Sequence, residues 1–210
     1  MAYDMAGTAD GTRRTLLQTA WRLVEERGVS GVTLAEIAAR AGVSRQAVYL
    51  HFGNRAGLLI GMVRHRDATS IKARKMLRVA KEPPCLKTLD RFVRLWFDYV
   101  AEILPVARAI EAASSSDDDA AEAWRDRMET LRTLIREIVD GLADSRQLSA
   151  RWTRDEATDW FWCRTHIDVW RQLVADRGWR AKVVADCVIQ SLWSDLAGDG
   201  KMDAIPVLPP

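Results

Sequence analysis

The stretch Thr33–Phe52, TLAEIAARAGVSRQAVYLHF, constrains this chain more than any other part of it. It encodes two short helices joined by a tight turn, and each helix carries its own start signal. Thr33 is an N-cap, and Glu36 three residues on completes a capping box, with Val32 and Ile37 at the two positions of a hydrophobic staple. Ser44 repeats the device for the second helix, with Val43 and Val48 as its staple. Gly42 between them takes the left-handed backbone conformation that ends a helix and turns the chain. Leu34, Ile37, Ala38 and Ala41 give the first helix one apolar face, and Val48 and Phe52 do the same for the second. The other face of the second helix carries Arg45, Gln46, Tyr49 and Leu50. The spacing predicts a helix-turn-helix whose second helix shows a polar outer surface, the geometry that lets a helix enter the DNA major groove.

A packing corner of any all-α protein could have the same caps and glycine turn, so the flanks matter. Upstream, Arg13–Arg27 reads as a helix with Leu16, Ala20, Leu23 and Val24 on one face. Downstream, Asn54 can cap a further helix starting at Arg55. A three-helix unit with a basic lead-in is what a small DNA-binding domain needs.

The run RRTLLQTAWRLVEERGVSGVTLAEIAARAGVSRQAVYLHFGNRAGLL closely resembles the DNA-binding domain of TetR/AcrR-type transcriptional regulators. Tyr49-Leu50-His51-Phe52, Asn54-Arg55 and Leu58-Leu59 are its most characteristic residues. The resemblance covers roughly the first quarter of the chain. It extends more loosely over the remainder, where RQLVADRGW (171–179) is similar to the link between the last two helices of such proteins. It implies an all-α fold: an N-terminal three-helix helix-turn-helix DNA-binding domain followed by a helical ligand-binding and dimerisation domain. The expected division is an N-terminal arm and DNA-binding domain over 1–53, an effector-binding and dimerisation domain over 54–198, and a flexible tail over 199–210. Many members have lysine just after the cap of the fourth helix, where this chain has Arg55; either cation can meet a phosphate.

Charge supports a two-part organisation. The chain has 210 residues, 48% hydrophobic, and a net charge of only +2. Arg13–Lys81 holds 14 Lys/Arg against 4 Asp/Glu, whereas from Glu82 onward there are 17 against 23. A basic front on an acidic body is the footprint of a polyanion-binding module joined to a separate one. The 3 Cys show no paired spacing, so no disulfide framework is implied. The first residues lack a signal-peptide pattern and no apolar run is long enough to span a bilayer, which leads to the expectation of a soluble cytoplasmic protein.

No strand pattern is evident. After the fourth helix, Pro83-Pro84 breaks the chain. Leu89, Phe92, Val93, Trp96, Phe97, Val100 and Ile103 form a strong helical stripe, and Pro105 starts a short helix to about Ala113. After an acidic loop, Ser114–Asp119, a helix carries Trp124, Met128, Leu131, Ile135, Ile138, Val139 and Leu142. Thr153 and Glu156 form a second capping box for the next helix, and a last one runs from about Trp179 to Leu196. The last two helices are apolar on more than one side: Trp160, Phe161, Ile167, Trp170 and Val174 cannot share one narrow face with Trp162, Val169 and Leu173. A helix apolar on two sides is buried on two sides, which points to a two-fold homodimer through a four-helix interface.

Arg45 and Gln46 are the candidates for base contacts, since arginine reads guanine and glutamine reads adenine through paired hydrogen bonds. Leu50 either meets a thymine methyl or packs. The helix cap Ser44 belongs to the same surface. By resemblance, Thr33, Tyr49, His51 and Arg55 contact backbone phosphates; His51 otherwise reads as an exposed helical histidine. Arg13 and Arg14, placed ahead of the first helix, reach phosphates or a minor groove, or form a solvated arm.

No catalytic constellation and no cofactor motif stands out. Cys163 and His166 lie three apart on one expected helix, but a structural zinc site wants four ligands, and a packed cysteine beside a polar histidine is the better reading. Most of the 9 Trp are core or interface. The resemblance implies an effector cavity beside the stripe helix, with Trp96, Tyr99, Met128, Trp162, His166 and Trp170 as candidate lining. The partners implied are double-stranded operator DNA, a small apolar or aromatic effector and a second copy, and no membrane. Two competing readings remain. One is an activator or effector-independent DNA binder. The other is a helical ligand-binding or scaffold protein without operator binding.

Overall fold

The computed structural model describes residues 3–83 and 85–197. The expected tail over 199–210 lies outside the described residues. Ten α-helices are described: α1 Tyr3–Arg27, α2 Leu34–Ala41, α3 Arg45–Phe52, α4 Arg55–Thr69, α5 Ile71–Ala80, α6 Leu86–Ala113, α7 Asp118–Asp144, α8 Arg154–Arg164, α9 Ile167–Trp170 and α10 Ala181–Leu196, with a π-helical segment Arg171–Asp176 following α9. Among the described residues the only β-pairing is an isolated bridge, Leu148 to Ala197.

The chain falls into two compact units. One holds the residues up to Thr69 together with Pro105–Met128, the other Ser70–Leu104 together with residues from Glu129 onward. Sequence order therefore does not separate them, and the division falls within both long helices.

In the first unit α1 packs against α2 and α4, α2 against α3, and α3 against α4. Its core is formed by Leu16, Leu17, Leu23, Ile37, Val48, Leu58 and Met62, each at most 2% exposed, and is joined by Val106, Ile110 and Ala120 of α6 and α7. Leu16, Leu23, Ile37 and Val48 among them are residues that periodicity placed on the inner faces of α1–α3. Two ion pairs tie α7 to α4, Arg127 to Asp67 at 2.9 Å and Arg64 to Asp126 at 2.5 Å.

The second unit buries the α6 stripe (Leu89, Phe92, Val93, Trp96, Phe97, Tyr99 and Val100) together with Leu131, Ile135, Ile138 and Val139 of α7 and Phe161, Val184 and Leu192. The Thr153 capping box is complete: Thr153 Oγ1 accepts from the Glu156 amide and the Glu156 carboxylate accepts from the Thr153 amide at 3.0 Å. A hydrogen bond from the Thr153 hydroxyl at 2.7 Å, followed by that from the Thr153 amide, holds the Glu156 carboxyl below its ordinary range.

Four expectations are corrected. The first helix begins at Tyr3, not Arg13, because nothing upstream breaks it: there is no proline, and a glycine such as Gly11 is tolerated inside a helix at modest cost. The fourth helix stops at Thr69, where Ser70 takes an extended conformation and its hydroxyl accepts from Ala73 N to start α5. Pro105, expected to begin a helix, sits inside α6; proline removes one backbone bond and strains the turn before it, yet the helix carries through. Finally, the helix after Thr153 ends at Arg164. Thr165 is fully buried and its hydroxyl donates back to the Phe161 carbonyl at 2.9 Å, a bond that bends helices. His166 then caps α9.

Candidate nucleic-acid interface

The turn between α2 and α3 rests on Gly42, whose φ of 70° and ψ of 29° are left-handed. Its amide and that of Val43 bond back to Ala39 O and Ala38 O, closing the end of α2. Thr33 Oγ1 accepts from Glu36 N and Ser44 Oγ from Ala47 N, both at 3.2 Å, so both expected caps form. The capping box at Thr33 is not reciprocal: the Glu36 side chain accepts from Arg27 instead, because the arginine that ends α1 offers a charged donor.

Val48 is fully buried, and the opposite face of α3 is open. Arg45 and Gln46 are exposed, Tyr49 is 41% exposed and Leu50 81%. An exposed leucine of that degree does no packing within the described chain, so the packing reading of Leu50 falls away. Arg45 donates to the Tyr49 hydroxyl at 3.1 Å, and its guanidinium lies 5.5 Å from the Tyr49 ring centroid. The pair holds the arginine along the helix face, ready to present its donors outward. His51 is half-buried against Phe52, with ring centroids 6.0 Å apart. Thr33, Arg45, Tyr49, Asn54, Arg55 and Asp117 line a cleft of about 650 Å³ beside this face.

Two expected contacts are placed differently. Arg13 and Arg14 are not an arm but belong to α1: Arg13 lies 5.4 Å from the Phe52 ring centroid and Arg14 pairs with Asp10 at 3.6 Å. Arg55 is turned inward onto Asp117 and two backbone carbonyls rather than outward. Sequence reading missed Asp117 as its partner, since the two lie 62 positions apart and the aspartate reads as one of several in a loop.

Of the expected ligand residues, Met128 belongs to the first unit and the other five to the second. Trp96 and Tyr99 are fully buried, and Trp96 Nε1 donates to Thr165 O at 2.6 Å, so both are core. Trp162 and His166 meet edge-on at 5.4 Å, and Trp170 is half-buried. An open pocket of about 550 Å³ in the second unit is lined instead by Lys75, Arg78, Arg91 and Arg94 over Val79 and Leu95, residues whose charges read as a solvated face. Cys163 is exposed and lies on α8, whereas His166 lies beyond its end. The described residues hold no cluster of three or more potential metal ligands, and no helix among them is long and apolar enough to cross a membrane.

Residues 16–62 match the family described as bacterial regulatory proteins, tetR family. Among curated proteins, the regulator BetI of Burkholderia cenocepacia is 35% identical over 79 residues, which span 37% of this chain and 41% of BetI. The chain thus matches less than half the length of this relative. Among solved structures, NalD, a repressor of a multidrug efflux pump in Pseudomonas aeruginosa, superposes with a TM-score of 0.65 at 21% identity, covering 92% of this chain and 99% of NalD. SmeT, a Stenotrophomonas maltophilia efflux-pump repressor solved with triclosan, gives a TM-score of 0.70 at 18% identity, covering 95% and 99%. At such identities the two structures establish a shared fold. Over residues 16–62 the chain is similar to bacterial regulatory proteins of the tetR family, and over most of its length it shares the fold of these two solved structures.

Proposed function

We propose that the protein is a cytoplasmic transcriptional repressor that binds a pseudo-palindromic operator as a homodimer and is released by a small apolar or aromatic ligand. The observation that carries the DNA-binding half is the outer face of α3, with Arg45, Gln46, Tyr49 and Leu50 all turned to solvent at the end of a rigid, doubly capped turn. Two such helices address two half-sites about one helical turn apart. Arg45 and Gln46 read bases, while Tyr49, His51, Thr33 and Ser44 meet phosphates.

Support for dimerisation comes from the C-terminal helices. The indole N–H groups of Trp162, Trp170 and Trp193 are buried without an acceptor among the described residues. Half-buried Trp162, Trp170 and Trp193, on helices apolar on more than one side, fit a surface covered by a second copy. In the ligand-bound state, α4 shifts the separation of the two DNA-binding domains and the half-sites no longer fit, a population shift between two arrangements.

A second reading, a DNA binder without an effector, is favoured by one observation: Trp96 and Tyr99 fill space as core side chains. Selection of genomic fragments by the purified protein at near-physiological salt tests the proposal. An inverted repeat bound with steep salt dependence supports it, and absence of any enrichment refutes it.

A further inference from the structure

Arg55 opens α4 at the position where the family resemblance puts a phosphate-binding cation, yet its side chain is only 20% exposed. Nη1 donates to both carboxylate oxygens of Asp117, at 2.8 and 2.7 Å, and lies 3.5 Å from Asp119. Nη2 donates to Val29 O at 2.7 Å and Nε to Val32 O at 3.4 Å. Val29 and Val32 belong to the turn that delivers the Thr33 cap of α2. Asp117 in turn caps α7, accepting from Ala120 N at 3.1 Å. One side chain therefore ties the α1–α2 turn, the start of α4 and the corner between α6 and α7.

We infer that Arg55 is a positioning residue and not a phosphate ligand: acting through Asp117 and the α1–α2 turn, it sets the Thr33 end of α2 and with it the presentation of α3. Turning outward would cost Arg55 its charge-assisted bonds to Asp117, which are among the stronger hydrogen bonds proteins make, together with its bond to Val32 O, while Val29 O would keep only the Val32 amide at 3.2 Å. Partial burial acts to raise the Asp117 carboxyl, but the Arg55 hydrogen bond, the Ala120 amide and the guanidinium charge outweigh it and hold the group below the usual carboxylate range. The inference rests on the DNA-binding reading above, and it reverses an electrostatic expectation. Asp117 and Asp119 both line the cleft beside Thr33 and Tyr49. If charge alone mattered, removing either carboxylate would tighten DNA binding.

The test uses the full-length protein and the operator recovered by fragment selection, with affinity measured between about 50 and 200 mM salt. Asp117→Asn keeps the α7 cap, since asparagine caps as well as aspartate, and removes the ion pair. It should weaken operator binding roughly tenfold, or about 1.4 kcal/mol, without altering the salt slope. Asp119→Asn should leave affinity unchanged or tighten it. Arg55→Lys keeps the charge but loses the fork; it should fall with Asp117→Asn, and the Arg55→Gln/Asp117→Asn double variant should be no worse than Arg55→Gln, because both break one link. Unchanged or tighter binding by Asp117→Asn, or a slope reduced by about 0.9 in Arg55→Gln, overturns the inference in favour of a phosphate contact. Should Asp117→Asn fail to fold, Arg55→Lys decides. Should the wild type bind no fragment, the DNA-binding reading is what fails. Amide exchange over 33–36 then tests the link in the free protein: faster exchange in Arg55→Lys upholds it and unchanged exchange overturns it.

Discussion

Replacing Gly57 with alanine should destabilise the protein, although the same change at an open helical site stabilises. Gly57 is the third residue of α4 and packs under the end of α3. A Cβ built there lies 2.2 Å from the carbonyl oxygen of Phe52, the last residue of α3, against the 3.0 Å below which real contacts are essentially absent. Backbone must therefore move by some 0.8 Å, and the Phe52 oxygen has no flexible side chain to yield in its place. The same methyl crowds Asn54 Oδ1 at 3.3 Å, the atom that caps α4 by accepting from Gly57 N at 2.7 Å. An unhindered Gly→Ala change in a helix gains about 1 kcal/mol. Forcing an extra group into a packed site costs about 1–3 kcal/mol, and a weakened cap about 1 kcal/mol more. The net expectation is a loss of about 1–3 kcal/mol, and each kcal/mol lowers Tm by about 2–4 °C in a chain of this size. Urea unfolding reads the stability, and Gly11→Ala, whose new Cβ meets nothing within 4 Å, is the control that should gain up to about 1 kcal/mol. Operator affinity should fall for Gly57→Ala because α3 is displaced. A Gly57→Ala protein as stable as wild type would refute the reasoning.

Arg45→Ala should cost about 1–3 kcal/mol on the operator and relax specificity at one base position; an equal loss on random DNA would make Arg45 a phosphate contact instead. Leu50→Ser should leave unfolding free energy within about 0.5 kcal/mol of wild type, as expected of an exposed surface site, while lowering operator affinity, and a marked loss of stability would return Leu50 to the core. Trp96→Phe should cost about 1–3 kcal/mol, because it strands the buried Thr165 carbonyl that the indole N–H now satisfies; denaturant titration checks this. The depressed Asp117 carboxyl favours its ionised form in the folded state, so its contribution is full above the unfolded value of 3.8 and disappears as pH falls through the lower folded value. Asp117→Asn should flatten the acid limb of the stability–pH curve below about pH 4.

Local signals were the ones the sequence carried in readable form. Thr33, Ser44 and Thr153 are caps because each hydroxyl reaches an amide three residues away, and Gly42 turns the chain because only glycine enters that conformation without penalty. The faces of α1–α3 follow from period alone, which is why the outer face of α3 is legible in the sequence. What escaped depends on distant partners. Arg55 reads as a free cation until Asp117 is brought beside it, and Glu36 reads as half of a capping box until Arg27 competes for it. Ser70 was missed because it lacks the glutamate at N3 that marked Thr33. Pro105 was overweighted, because a helix held by buried neighbours on both sides of the proline survives a local cost. The expected ligand residues are the least constrained by sequence, since an aromatic that lines a cavity and one that fills it have the same spacing.

The π-helical segment Arg171–Asp176 gives the last stretch of the chain an odd bookkeeping of residues. Its amides bond to the fifth residue back instead of the fourth, so the segment holds one residue more than an α-helix of equal length. One residue rotates everything beyond it by about 100° around the axis. The segment therefore acts as an insertion absorbed in place: it re-aims Leu173 and Val174 without lengthening the connection to Gly178, whose φ of 72° then reverses the chain into α10. Deleting a single residue between 171 and 176 is thus a smaller geometric insult than deleting one from α8 or α10. In an alignment of related chains, a one-residue gap at this point would mark a shift in which tryptophans face outward, not a loss of the helix.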